Sequence, residues 1–286
     1  MPTVSRTESP KTPQPTHKPA NRPKRSLGQN FLHDQGTAWK IADALEVSSG
    51  QRVLEIGPGR GALTGRLLES GCDLYALEKD GVLAGELKNR WPRLSMVVMD
   101  ALRFNWTKLS GPWRIIGNLP YNVASPIIWD MVADVPHLER GIFMVQKEVA
   151  QRLAAAPGSR SYGALSVWVQ SHVHVRGLFT VGPQVFHPRP KVDSAVIRLI
   201  SLAQQERLQH SVPLRRLLPL CFQQRRKQLK TILRPLWGDH LDKWFQDQGL
   251  RPESRPEELS PRRFQLLANL VFPPGQGPEK HHPATS

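Results

Sequence analysis

Val53-Leu54-Glu55-Ile56-Gly57-Pro58-Gly59-Arg60-Gly61 is the stretch from which the fold can be read. Its first four residues suit a short buried strand, and three glycines at alternate positions follow at once. Glycine lets the backbone turn sharply and approach a ligand where any Cβ would collide. An amphipathic run through Leu63, Leu67 and Leu68 comes next, so the segment reads strand, tight loop, helix. The spacing is G-x-G-x-G, not the G-x-G-x-x-G of dinucleotide sites, which lowers a pyrophosphate reading.

Working outward, residues 74–77 read as a second strand and 82–87 as its helix. Residues 95–99, 113–116 and 141–145 supply three more strands, with further ones expected at 172–179 and 194–200. Strands alternating with helices call for a mostly parallel, doubly wound α/β sheet covered on both faces. After about residue 204 the pattern changes to helix-like stretches at 214–222, 229–233, 241–245 and 264–270. Pro213, Pro235, Pro252, Pro256 and Pro261 break them, which fits a small helical domain. The expected organisation is therefore an extension over 1–25, an α/β domain over 26–203, a helical domain over 204–272 and a tail over 273–286. The extension and the tail are rich in Pro and polar residues with almost nothing apolar, so disorder is expected there.

The chain of 286 residues carries a formal net charge of +15. Arg6, Lys11, Lys18, Arg22, Lys24 and Arg25 face the single acid Glu8 in the extension, which leaves about +10 on the folded body. Such an excess favours a polyanionic partner through phosphate contacts and counterion release, although solubility alone is compatible with it. Cys72 and Cys221 are isolated thiols without metal-ligand spacing, so no disulfide framework and no metal site is expected. The pair His281-His282 lies in the tail and reads as solvated. No apolar run reaches the roughly 20 residues of a membrane span. The N-terminus lacks the apolar core of a secretory signal, so a reducing cytoplasm is expected.

Two acids fall where a doubly wound sheet presents ligands. Glu78 closes the second strand about twenty residues beyond the loop, where a carboxylate takes ribose hydroxyls. Asp100 closes the third strand, where a carboxylate accepts a hydrogen bond from an adenine amino group. Either alone is more often a helix cap or a solvated strand end; with the glycine loop they outline an adenosine-shaped site that suits a nicotinamide or a sulfonium cofactor. The fourth strand discriminates, because it ends in Ile116-Gly117-Asn118-Leu119-Pro120-Tyr121. An adenine N6 is a poor nucleophile, its lone pair being delocalised into the ring. The Asn118 side-chain oxygen and a backbone carbonyl can accept both N6 hydrogens and hold the lone pair toward a methyl donor. Pro120 fixes the turn, and Tyr121 offers a face to a flipped base.

With these residues in hand, the chain resembles the small-subunit ribosomal RNA adenine N6,N6-dimethyltransferase family. The likeness starts at Leu27-Gly28-Gln29-Asn30-Phe31-Leu32 and runs through Gly57-Pro58-Gly59-Arg60-Gly61-Ala62-Leu63-Thr64 and Asn118-Leu119-Pro120-Tyr121. It continues through Pro157-Gly158-Ser159, Tyr162-Gly163 and Phe186-His187-Pro188-Arg189-Pro190-Lys191-Val192-Asp193-Ser194 to Phe222-Gln223-Gln224-Arg225-Arg226-Lys227-Gln228-Leu229.

The resemblance implies a Rossmann-like class I methyltransferase domain. It implies S-adenosylmethionine as donor, bound by Asn30, Leu32, Gly57, Glu78, Asp100 and Asn118. Asn30 and Leu32 carry no signal from spacing; read without the family, 29–32 is a loop leading into a helix. Asn118, Leu119, Pro120 and Tyr121 are then the catalytic segment, with Phe186 opposite Tyr121 against the target base unless it is a core residue. The implied substrate is a pair of adjacent adenosines in the 3′-terminal hairpin of 16S rRNA in the small ribosomal subunit, and a monomer is expected. The acid-free run with Arg225, Arg226, Lys227 and Lys230 is expected to bind rRNA, its alternative being a solvated face. The related large-subunit rRNA methyltransferases share the loop and the Asn-Leu-Pro-Tyr pattern. The Phe222–Leu229 run and the Phe-His-Pro-Arg-Pro loop favour the small-subunit reading. An assembly factor that checks immature subunits is a second, compatible reading, and an NAD-dependent dehydrogenase a distant third.

Overall fold

The computed structural model describes residues 28–203, 206–208 and 210–274. The basic extension over 1–25, Leu27 and the tail from 275, with His281-His282, lie outside the described residues. The first elements are β1 (Phe31–Leu32), α1 (Gln35–Asp43), β2 (Arg52–Ile56), α2 (Thr64–Glu69), β3 (Asp73–Glu78), α3 (Gly81–Arg90), β4 (Ser95–Val98) and β5 (Trp113–Asn118). Then follow α4 (Ala124–Asp134), β6 (Leu138–Gln146), α5 (Lys147–Leu153), α6 (Ala164–Gln170), β7 (Val173–Val181), β8 (Phe186–His187) and β9 (Ser194–Ser201). The helices α7 (Ser211–Gln223), α8 (Leu229–Ile232), α9 (Asp239–Asp247) and α10 (Pro261–Val271) complete the chain.

Seven strands form one sheet in the order β4-β3-β2-β5-β6-β9-β7. The pairs β2–β3, β3–β4, β2–β5 and β5–β6 are parallel, while β9 runs antiparallel to both β6 and β7. The α/β sheet is thus mostly parallel, as expected, with an antiparallel pair of strands at one edge. From β2 the chain builds one way through β3 and β4, then returns to add β5 on the other side. Ligands bind in the crevice outside the carboxyl ends of strands where the order reverses in this way. That crevice lies between the ends of β2 and β5, which carry the glycine loop and the Asn-Leu-Pro-Tyr segment.

Side chains alternate across a strand, and the core divides accordingly. Leu54, Ile56, Leu77, Ile115 and Phe143 join the cluster under α4, α5 and α6. Val53, Ala76, Ile116, Ile142 and Met144 join the cluster with residues of α1, α2 and α3. Glu55, two residues beyond Val53, therefore faces the α1–α3 side. The first cluster continues without interruption into Leu214, Leu217, Phe245, Phe264 and Leu267, so the C-terminal helices share its apolar interior. Tyr162, fully buried, joins the two parts by donating its hydroxyl to the Leu259 carbonyl at 2.8 Å.

Two expectations need correction. Pro213 does not break a helix but sits in the first turn of α7, where backbone N–H groups have no intrahelical partner. Residues 31–32 are not loop but strand: Leu32 pairs with Phe186 and Phe31 with His187. Their partner lies far along the chain, so no local pattern announces them.

Candidate active site

The glycine loop turns as its sequence requires. Gly57 has φ of 65°, in the left-handed region, and a Cβ built there would meet nothing within 4 Å. It would project into open crevice, so the bare backbone is a place for a ligand to approach. The crevice encloses about 700 Å³, part of it open to solvent, and is lined by residues 28–32, the glycine loop, Glu55, Glu78 and residues 118–121.

Two carboxylates enter it from below. Glu78 is 6% exposed. Its Oε2 accepts from Gly59 N at 3.1 Å and its Oε1 from Asp80 N at 2.8 Å. The side chain thus holds the glycine loop in place while keeping lone pairs for a ligand. Burial pushes its pKa up, against the pull of the backbone N–H groups of Asp80 and Gly59. Glu55 is 1% exposed and accepts the Thr64 hydroxyl at 2.7 Å. Burial raises its pKa to about 7, the Thr64 hydrogen bond opposes this, and the charge of Glu78 adds to it.

On the other wall, Asn118 ends β5 and donates its Nδ2 to the Asn30 carbonyl at 3.1 Å. That bond fixes the amide orientation and leaves Oδ1 as an acceptor. The Pro120 carbonyl is occupied by Val123 N and Ala124 N at 3.1 and 3.0 Å, where α4 begins. Among the described residues no backbone donor reaches the Leu119 carbonyl beside it. Tyr121 is half-buried, with its hydroxyl 2.7 Å from the Ser194 hydroxyl at the start of β9. Burial raises its pKa and the Ser194 bond lowers it less, so the phenol stays protonated at neutral pH. Through Asn30, Ser194 and the β1–β8 pair, three motifs distant in sequence close around one crevice.

Of the expected cofactor residues, Asn30, Leu32, Gly57, Glu78 and Asn118 line it, as do Leu119, Pro120 and Tyr121. Asp100 and Phe186 do not. β4 ends at Val98, and Asp100 instead caps a 3₁₀ turn at Leu102 N (3.0 Å) and pairs with Lys79 at 2.7 Å. Burial pushes the Asp100 pKa up, but the Lys79 and Leu102 hydrogen bonds outweigh it and hold it low. Phe186 is 3% exposed within the apolar cluster of Leu32, Ile41 and Val181, because β8 pairing turns its ring inward. In this arrangement it is a core residue and offers no face to a base.

The basic run also divides. Arg225 is a clamp: it pairs with Glu257 at 2.6 Å and donates to the Arg160 and Ser159 carbonyls at 2.9 and 3.2 Å. Arg226 and Lys227 are exposed on the turn after α7. Lys230 is exposed on α8, 3.7 Å from Asp242 and over the Trp237 ring. Sequence reasoning gave no role to Glu55 or Ser194. A carboxylate inside the apolar strand 53–56 was a usable signal, since Glu is almost never fully buried without a reason. Ser194 carried none.

A switch-point crevice with this glycine loop, an acid ending β3 and Asn-Leu-Pro-Tyr after β5 defines a class I methyltransferase domain of the adenine-N6 type. The pattern described as ribosomal RNA adenine dimethylase matches residues 20–271, and the chain belongs to that family. Ribosomal RNA small subunit methyltransferase A of Oleidesulfovibrio alaskensis is 51% identical over 259 residues, 88% of this chain and 92% of the relative. A dimethyladenosine transferase from Plasmodium falciparum superimposes with a TM-score of 0.69 at 26% identity, covering 84% of this chain and 97% of that one. The 23S rRNA methyltransferase ErmE gives 0.66 at 25% identity, covering 85% and 99%. This backbone is thus shared with a dimethyladenosine transferase and with a 23S rRNA methyltransferase alike. Among the described residues no helix is long and apolar enough to cross a membrane.

Proposed function

We propose that this protein transfers methyl groups from S-adenosylmethionine to N6 of two adjacent adenosines in the 3′-terminal hairpin of 16S rRNA, giving N6,N6-dimethyladenosine during small-subunit maturation. The observation that carries the chemistry is the Asn118 amide. Its nitrogen is held by the Asn30 carbonyl, so its oxygen and the adjacent Leu119 carbonyl are the acceptors at the rim. Two acceptors side by side match the two hydrogens of an exocyclic amine.

The residues present fit the donor. The space at Gly57 admits a ligand against bare backbone, and Glu78 supplies a carboxylate beneath a molecule that carries positive charge. When bound, S-adenosylmethionine supplies an electrophilic methyl group on sulfonium. Glu78 holds the ribose hydroxyls, with Asn30, Leu32 and Gly57 around the rest of the donor. Asn118 and Leu119 orient N6, Pro120 fixes their turn, and the Tyr121 ring, pinned at Ser194, supports the base. Catalysis then rests on alignment of nucleophile and methyl group. Tyr121 stays protonated and is no base, so the proton lost by N6 passes to solvent. A cytoplasmic monomer without membrane attachment suits this role. Mass mapping of rRNA from a deletion strain tests the proposal. Unmethylated adenosines in the 16S hairpin, restored by the wild-type gene and not by Asn118→Ala, are expected. A fully methylated hairpin in the deletion strain sinks it.

A further inference from the structure

A row of exposed cations leaves the rim of the crevice and runs toward the C-terminal helices. It starts where Tyr121 meets Ser194, because Asp193, the residue before Ser194, fastens α5 to that rim. The Asp193 carbonyl accepts from Lys147 N at 3.0 Å, and its carboxylate pairs with the Lys147 ammonium at 3.4 Å. The helix α5 buries Val149, Ala150 and Leu153, which leaves Arg152 exposed. Five residues of helix put Arg152 about 7–8 Å along the axis from Lys147. The loop that follows then brings Arg160 against the turn after α7. Arg225 donates to the Arg160 and Ser159 carbonyls at 2.9 and 3.2 Å, and Gly158 N to the Glu257 carbonyl at 2.7 Å. Arg160 is thus fixed through its backbone, close to the residues that Arg226 and Lys227 follow, while its own side chain stays exposed.

Among the described residues the side chains of Arg152, Arg160, Arg226 and Lys227 have no partner. The acids along the row do not neutralise them: Asp193 is paired with Lys147 and Glu257 with Arg225. Glu148, one helical turn before Arg152, forms no ion pair among the described residues. Like charges gathered in this way repel one another, and a polyanion relieves the repulsion. Between Ala154 and Ser161 the exposed residues other than Arg160 are Ala154, Ala156, Pro157, Gly158 and Ser161. Small side chains let a rod-like backbone lie close, and no large apolar side chain is exposed there for a lipid surface or an apolar protein face to use. Cations without aromatic faces between them suit duplex RNA, which is held by phosphate and sugar contacts rather than by stacking on its bases. We propose that the stem of the target hairpin lies along this row, with Arg152 and Arg160 on its phosphates, while the adenosines it carries occupy the crevice. The inference rests on the rRNA reading above and adds to it the course of the duplex outside the catalytic site.

The test locates the RNA and then weighs the contact. Ser161→Cys in the full chain carries a tethered iron chelate; Cys72 and Cys221 are buried, so the new thiol is the one labelled. On undermethylated small subunits, hydroxyl radicals from the chelate are expected to cut the stem of the 3′-terminal hairpin. Cuts confined to other rRNA helices, or no cuts while the subunit is bound, overturn the proposal, the latter making the row a protein contact. Affinity is then read by anisotropy with the isolated hairpin, carrying either its full stem or a stem cut to a few base pairs below the same loop. Wild type is expected to prefer the full stem. The double variant Arg152→Glu, Arg160→Glu should bind the full stem about tenfold more weakly at moderate salt and lose that preference. Its slope of log affinity against log salt should flatten by about 1.5 units, from roughly 0.7–0.9 for each contact. S-adenosylmethionine titration is the folding control, and Arg152→Gln, Arg160→Gln replaces the double variant if donor binding fails. Equal wild-type affinity for the two stems, or a variant that keeps the preference, overturns the proposal. A loss of the same size for both stems also overturns it, because the contact would then lie at the loop. Methylation of undermethylated subunits by wild type is scored separately: its absence refutes the function and leaves the stem measurements to stand by themselves.

Discussion

The catalytic crevice and the basic turn after α7 both stand out in the sequence, yet they are built in opposite ways. In the crevice every candidate side chain is tied to backbone or to a neighbouring motif: Asn118 to the Asn30 carbonyl, Glu78 to two N–H groups, Tyr121 to Ser194. In the turn, four consecutive-looking cations have different fates. Arg225 is spent on Glu257 and two carbonyls, whereas Arg226 and Lys227 point into solvent. Residues at strand ends inherit their position from the sheet, so identity implies place. Residues on a turn inherit none, and a run of like charges says nothing about which of them is structural.

If the crevice is as pre-set as this contrast holds, its largest sensitivity is at Asn118. Asn118→Ala removes the acceptor that aims N6 and should slow methyl transfer by about a hundredfold or more, as small misplacements of reacting groups do. Binding of RNA should change little. Single-turnover assays on undermethylated small subunits check this; a rate within a few-fold of wild type would mean that N6 is oriented by something else.

Glu55 gives the next largest effect, and it concerns stability. Its folded pKa of about 7 lies above the ordinary 4.5, mainly through burial. The folded chain therefore holds a proton that the unfolded chain has released between those values. Stability on this account is full below pH 4.5, falls as pH rises toward 7 and then levels. Glu55→Gln should be more stable than wild type above pH 7 by up to about 3 kcal/mol, with the advantage gone in acid. Denaturant titrations across that range, without donor, measure it. Curves that stay parallel at all pH values would show Glu55 ionised in the fold.

Glu78 sharpens the comparison from the donor side. A hydrogen bond to a charged group contributes roughly 1.5–3 kcal/mol, so Glu78→Ala should weaken S-adenosylmethionine binding about ten- to a hundredfold. Because Glu78 also anchors Gly59 and Asp80, Glu78→Gln, which keeps an acceptor, should lose less. Calorimetry on both folded variants decides; equal, undiminished affinities would remove the side chain from the ribose site.

Most of the parallel sheet was legible from residues 53–145, because buried strands there are short apolar runs punctuated by loop signals. The crevice was legible where glycine, an acid at a strand end or Asn-Leu-Pro-Tyr marks the chain. What escaped depends on distant partners. β1 exists only because β8 returns to it, and the Phe186 ring turns inward for the same reason. Asp100 sits two residues past a strand that ends early, and Lys79, its neighbour on the adjoining strand's exit, takes its charge. Ser194 matters only through the Tyr121 hydroxyl, a contact between residues no periodicity connects.

The smallest expected effect lies in the basic turn, and it separates the two kinds of cation found there. Replacing Arg226, Lys227 and Lys230 by Glu, with Arg225 retained, alters only exposed side chains. Phosphate contacts position a protein on RNA without reading bases. If all three meet phosphates, small-subunit affinity should fall about tenfold at moderate salt. The slope of log affinity against log salt should flatten by about two units, since each contact contributes roughly 0.7–0.9. Donor binding should hold, because the crevice is untouched. Arg225→Ala should do the reverse, because its guanidinium joins the loop of Ser159 and Arg160 to Glu257. Its loss should lower stability by about 1–2 kcal/mol with little change in salt slope. Subunit binding over a salt series, run beside thermal melts, reads both outcomes. If the triple variant keeps wild-type affinity and slope, the turn is an ordinary solvated face and docking lies elsewhere. If Arg225→Ala flattens the slope as strongly as the triple variant does, the distinction between clamp and contact fails.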